Sequence, residues 1–95
     1  MSSNPSSGAE SYKLGIKQSA AKELESLGTK KDREKTVARI NALARDPRPM
    51  GVEKLAGEQN LYRVRQGNYR IVYSVDDRKK VIVITKIGDR KEVCR

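Results

Sequence analysis

Three stretches near the C-terminal end constrain the fold more than anything else in the chain. Leu61 to Arg65 alternates apolar and basic residues, and Tyr69 to Val75 and Val81 to Ile87 are dense in β-branched and aromatic side chains. Alternation of period two marks a half-buried strand. Short turn-forming runs, Gln66-Gly67-Asn68 and Asp76 to Lys79, separate the three segments, so the spacing predicts hairpin-linked antiparallel strands. Upstream, Ser11 to Lys17 alternates Tyr12, Leu14 and Ile16 against polar positions and predicts one more strand.

Helical signals fill the space between. Ser19 is placed to cap a helix running through Leu27, with Ala20, Leu24 and Leu27 on one stripe and Gly28 as the stop. Thr29 followed by Asp32 has the form of a capping box with Asp in place of Glu. The helix it opens is expected to reach about Arg45, with Val37, Ile40, Leu43 and Ala44 facing inward, and Asp46-Pro47 ends it. Arg48 to Asn60, broken by Pro49, Gly51 and Gly57, reads as irregular. Gly88 to Arg95 has room for a short edge strand. The class is therefore α+β: β-α-α followed by three or four antiparallel strands, with the two N-terminal helices packed on one face of the sheet.

The chain has 95 residues, enough for one domain. Met1 to Glu10 is rich in Ser, Pro and Gly and reads as a disordered leader or expression remnant, leaving residues 11–95 as the folded domain. No Trp or Phe is present, so Leu, Ile, Val and four Tyr must fill a thin core. A deep cofactor pocket is hard to build from that set, and none is expected; any site is a surface groove. With no His and only one Cys, the usual metal ligands and the usual neutral-pH acid–base group are missing, so no metal site is expected. No apolar run is long enough to span a membrane, and a cytoplasmic location fits best.

The charge balance is 21 basic against 12 acidic residues, a net +9. Such an excess favours polyanions through counterion release, without choosing among RNA, DNA, an acidic protein or a membrane surface. The strand pattern narrows the choice. If Tyr62 and Val64 point to the core beneath the helices, Arg63 and Arg65 occupy the opposite, open face. Arg70 follows the hairpin turn and stands beside Arg65 across the ladder. Between Leu61 and Arg70 there are three arginines and no acid. Like charges across a ladder are unfavourable without a counter-anion, and the arginine fork matches phosphate oxygens. The competing reading is a solvated edge of snorkelling side chains. Glu23, Glu25 and Glu34 read as solvated helix faces, Asp76 and Asp77 as turn formers, and Tyr62, Tyr69 and Tyr73 as packing residues.

LYRVRQGNYRIVYSVDDRKKVIVITKIGDRKEVCR resembles the C-terminal strands of the RelE/ParE superfamily of bacterial and archaeal toxins. SAAKELESLG, the second helix and EKLAG fit the same pattern, so the likeness covers about residues 11–95. It implies a toxin acting by one of two routes: RelE-like members cut messenger RNA in the ribosomal A site, and ParE-like members poison DNA gyrase. Arg63 and Arg65 fall where RelE-like toxins place basic residues, Arg70 on the family's catalytic arginine after the turn, and Arg90 on the arginine of its GxR element. The resemblance thus implies a ribosome-dependent, metal-independent endoribonuclease. Its catalytic set is Arg63, Arg65, Arg70, Arg90 and Cys94, and its RNA-binding set is Arg63, Arg65, Arg70, Lys86 and Arg90. It also implies a cognate antitoxin as protein partner, in a toxin–antitoxin hetero-oligomer, with the ribosome and messenger RNA as the other partners.

Two positions depart from the family. Cys94 stands where RelE-like toxins often carry a tyrosine, and Asp89 where a histidine is common. A thiol near Arg90 can have a lowered pKa and accept a proton, or it can be an idle C-terminal group. Asp89 reads more simply as a partner of Arg90 than as a base. A ParE-like gyrase inhibitor, and a degenerate relative that only binds antitoxin, stay open as alternatives.

Overall fold

The computed structural model describes residues 11–55, 57 and 60–89. In chain order they form β1 (Lys13–Ile16), α1 (Gln18–Glu25), α2 (Lys30–Leu43), β2 (Glu53–Lys54), β3 (Leu61–Gln66), β4 (Tyr69–Asp76) and β5 (Val81–Asp89). The strands make one five-stranded sheet in the order β1-β5-β4-β3-β2. β1 runs parallel to β5, and the other pairings are antiparallel. The first strand therefore lies at one edge and the second at the other. The helix pair is the connection that carries the chain across, with α1 against β5 and α2 against β3.

Burial follows from that crossing. Ala20, Leu27, Ile40 and Leu43 of the helical segment meet Tyr62, Val64, Ile71, Tyr73, Val75, Ile82, Ile84 and Ile87 of the sheet in one cluster. Tyr62 and Tyr73 stack at 5.9 Å between ring centroids, doing the work that Phe or Trp would do in a richer core. The Tyr73 hydroxyl, pushed up to about 12 by burial, donates to the Pro47 carbonyl at 2.7 Å. This bond ties the chain leaving α2 to the middle of the sheet. The α+β class and the helices on one face are as expected from the sequence.

Several local expectations need correction. The first helix begins at Gln18, and Lys17, with no side-chain bond, occupies the cap position in place of Ser19. Lys17 still donates its N–H to Ile84 of β5 while its carbonyl accepts from Ala21, so the chain turns from strand to helix within one residue. Thr29 caps α2 as expected, accepting from the Asp32 N–H. The inward face of α2 is Thr36, Ile40 and Leu43, and Val37 lies at its flank, 39% exposed. The stretch read as irregular contains β2, which pairs Glu53 with Arg63 and Lys54 with Tyr62. It supplies the fourth antiparallel strand. Gly88 and Asp89 belong to β5, and the rest of the tail lies outside the described residues.

The Glu23 carboxylate is no idle solvated group. β1 pairs with β5 only as far as Ile84, and beyond it one Glu23 oxygen accepts the Ile87 N–H while the other accepts from Lys86, both at 2.9 Å. An edge that would otherwise present an unpaired N–H is thus closed by a side chain from α1. Asp76 does form the turn, accepting from the N–H groups of Arg78 and Lys79. Asp77 adds a clamp, pairing with Arg48 at 2.6 Å and accepting from the Tyr12 hydroxyl at 2.7 Å.

Tyr73→Phe removes the bond to Pro47 without opening a cavity. The expected cost is roughly 1 kcal/mol, seen as a fall of roughly 4–8 °C in the thermal midpoint. An unchanged midpoint would mean that the Pro47 tether contributes nothing to stability.

Candidate phosphate-binding face

Register decides which side chains share the open face. Arg65 is directly opposite Arg70, which in turn faces Gly88, and Arg63 is opposite Val72, which faces Lys86. These positions point away from the helices, because their neighbours Tyr62, Val64, Ile71 and Tyr73 fill the core. Val72 is 7% exposed yet lies outside that cluster, on the face it shares with its register partners Arg63 and Lys86. No described helix packs on this side.

A β-bulge puts Lys86 there. Tyr73 pairs with Ile84 but Val72 pairs with Lys86, so Thr85 is an extra residue in β5. Simple alternation would send Lys86 the same way as Ile82 and Ile84. The bulge reverses the parity, so that Ile87 continues the core and Lys86 and Gly88 join the arginine face. Thr85 marks the step with a bond from its hydroxyl to the Val72 carbonyl, 3.2 Å.

The three arginines differ in their surroundings. Arg63 donates from Nε (3.0 Å) and Nη2 (2.7 Å) to one oxygen of Glu53, its partner across the β2–β3 pairing. Arg65 is exposed and makes no ion pair among the described residues. Arg70 is half-buried, and its Nε is shielded from solvent with no acceptor. Lys86 shares the face, but its ammonium is held by Glu23. Arg90 and Cys94 lie outside the described residues, as does the side chain of Asp89. The structure thus gathers Arg63, Arg65 and Arg70 and directs Lys86 to the edge.

Residues 14–93 match the family model described as ParE toxin of type II toxin-antitoxin system, parDE. The chain belongs to the RelE/ParE superfamily of toxins. Among solved structures, the archaeal RelE–RelB complex from Pyrococcus horikoshii shares 35% identity and a TM-score of 0.75, over 84% of this chain and 96% of that one. The intact E. coli RelBE toxin–antitoxin complex shares 30% identity and a TM-score of 0.71, over 82% and 95%. Free E. coli RelE carrying two arginine-to-alanine substitutions shares 28% identity and a TM-score of 0.73, over 87% of each chain. No curated protein matches. Within the superfamily this toxin is RelE-like.

Glu53 is the site residue that sequence reasoning missed. Among the described residues it is the acid that pairs with the cluster, and the Arg63 bond and charge, with smaller contributions from Arg70 and Arg65, hold its carboxyl below the usual range. All three arginines are therefore close enough to act on one exposed carboxylate. A two-residue strand between glycines has too little length to show alternation, and the acid is followed at once by Lys54. The usable signal was Val52 just before it, an apolar residue that packs against the core.

Because folding lowers the Glu53 pKa, its ionic contribution is present above the ordinary glutamate value and is lost as pH falls through the lowered one. Glu53→Gln should therefore be slightly less stable than the parent at neutral pH, and the difference should close in acid. Thermal midpoints of both proteins across that range test this, and a difference independent of pH would rule out an ionic origin.

Proposed function

We propose that this toxin is a ribosome-dependent endoribonuclease that cuts messenger RNA in the A site and arrests translation. The observation that carries the reading is the grouping of Arg63, Arg65 and Arg70 on an open sheet face, with one Arg70 donor left without an acceptor. A phosphate is the ligand that arginines so placed accept best.

The chemistry uses the substrate's own nucleophile. The ribose 2′-oxygen attacks the adjacent phosphorus, the O2′–P bond forms and the P–O5′ bond breaks, leaving a cyclic phosphate and a 5′-hydroxyl. One proton leaves the 2′-hydroxyl and one is delivered to the departing 5′-oxygen. Arg70 and Arg65, with Arg63 behind them and Arg90 joining from the tail, stabilise charge on the phosphorane without a metal. Arginine stays protonated and is a poor base, and Glu53, held in its ionised form by Arg63, is a weak one. Cys94, at the family's tyrosine position, is the proposed proton acceptor. A protein this short of bases depends on the ribosome to align the strand, which places its action in the cytoplasm.

The partner reading follows from relatives solved with RelB. An acidic or amphipathic antitoxin segment would bind this toxin and cover the basic face. The family description also names ParE, which keeps a gyrase inhibitor as the second reading. Primer extension on messenger RNA from cells briefly expressing the chain separates the two. Discrete cuts with translation arrest support the nuclease, and intact RNA with gyrase-dependent DNA damage overturns it.

Arg70→Ala should fold normally and lose on the order of 10²–10³ in cleavage rate on programmed ribosomes, while the parent cuts free RNA poorly. Full activity in the folded variant would remove Arg70 from the mechanism, and fast turnover on naked RNA would remove the ribosome. Cys94→Ser should slow cleavage and Cys94→Tyr retain or raise it; equal rates in all three forms would retire the thiol.

A further inference from the structure

Around the β2–β3 edge from the arginine face lies a groove of about 370 Å³, lined by Arg39, Met50, Gly51, Glu53, Arg63 and Arg65. Its origin is topological. β2 pairs with β3 only at Tyr62 and Arg63, so Arg65 stands past the end of β2, where the sheet edge opens toward α2. Arg39 comes from α2 and forms the far wall.

Arg39 is the informative residue. It is half-buried, and its Nε is shielded from water with no hydrogen-bond partner. It makes no ion pair among the described residues. Its charge still reaches the interior, acting on the Tyr73 hydroxyl. An arginine that converges with two others on a groove, where Glu53, the carboxylate among the described lining residues, is already bonded to Arg63, is arranged for an anion from outside. Met50, 98% exposed, forms an apolar rim, and a Cβ at Gly51 would meet nothing within 4 Å, so the approach is open.

We infer that this groove is a second phosphate subsite, in which Arg39 and Arg65 hold a backbone phosphodiester of the RNA strand other than the one cleaved. The inference rests on the proposed RNA reading and extends it. The strand runs from the Arg65–Arg70 pair over the β3 edge to α2, and Arg65 serves both positions. Arg39 acts in binding and touches none of the reacting atoms.

The test is binding of a fluorescein-labelled single-stranded RNA with 2′-O-methyl riboses, which cannot be cleaved, followed by anisotropy at several salt concentrations. Each phosphate contact on a single strand adds roughly 0.7 to the slope of log affinity against log salt. Arg39→Ala should lower that slope by roughly this amount and weaken binding at low salt roughly 3–10-fold, with Arg39→Lys recovering part of both. Lys31→Ala, on the exposed first turn of α2, removes the same charge and should change neither beyond a small uniform effect. Equal slopes for Arg39→Ala and Lys31→Ala overturn the subsite, even when the parent binds RNA. A lowered thermal midpoint with an unchanged slope makes Arg39 a packing residue and also overturns it. If the parent fails to bind RNA at low salt, the subsite and the RNA reading fall together. If Arg39 dependence appears with poly-glutamate and not with RNA, the groove takes an acidic protein segment and the inference is wrong.

Discussion

Nearly all the apolar burial among the described residues lies on one face of one sheet. With 36% hydrophobic residues and neither Trp nor Phe, there is apolar material for a single layer of contact between helices and strands, and none for a second. The stacked Tyr62–Tyr73 pair and the isoleucines of β5 occupy that layer. The opposite face is then left mostly to polar side chains, with Val72 as its one buried apolar residue among those described. Charge collects there at some cost in desolvation, since Arg70 is half-buried with its Nε shielded from solvent. A shortage in the core and a basic surface are two consequences of one composition.

The bulge in β5 joins the two faces. Without Thr85 as an extra residue, the strand could not bury Ile82, Ile84 and Ile87 together, because the last differs in parity from the others. The same step brings Gly88 opposite Arg70. A glycine here contributes no side chain of its own opposite Arg70. The Glu23 carboxylate holds the bulged segment from outside, at the point where β1 no longer pairs with it. A helix residue therefore helps to set the path along which the chain approaches the GxR element.

Period-two patterning made the strands legible, and with them the placement of Arg63, Arg65 and Arg70. Alternation is a property of neighbouring residues, and the hairpin turn at Gly67, with its φ of +60°, fixes the register. What could not be read was set by contacts between distant residues. Glu23 and Lys86 lie 63 positions apart, and Tyr12 and Asp77 lie 65 apart; neither pair has a local signature. β2 is too short to repeat anything. The inward turn of Thr36 in place of Val37 depends on how α2 rests on the sheet, and a helix with an apolar residue at either flank permits both rotations. Its hydroxyl, buried without a partner, shows that packing geometry overrode side-chain preference.

Electrostatics gives the basic face its meaning. Arg65 and Arg70 face each other with no acid between them, and Glu53 neutralises Arg63 alone. Facing like charges cost stability, and the cheapest remedy would be an acidic residue at Val72 or Ser74, each well placed on the same face. The chain has none at either position. An internal carboxylate there would relieve the repulsion, but it would also compete with any incoming phosphate for the same donors. The face is therefore less stable alone than it could be and better suited to an anion supplied from outside. On the proposed reading, an RNA strand or an acidic polypeptide would each supply the missing negative charge to this one face.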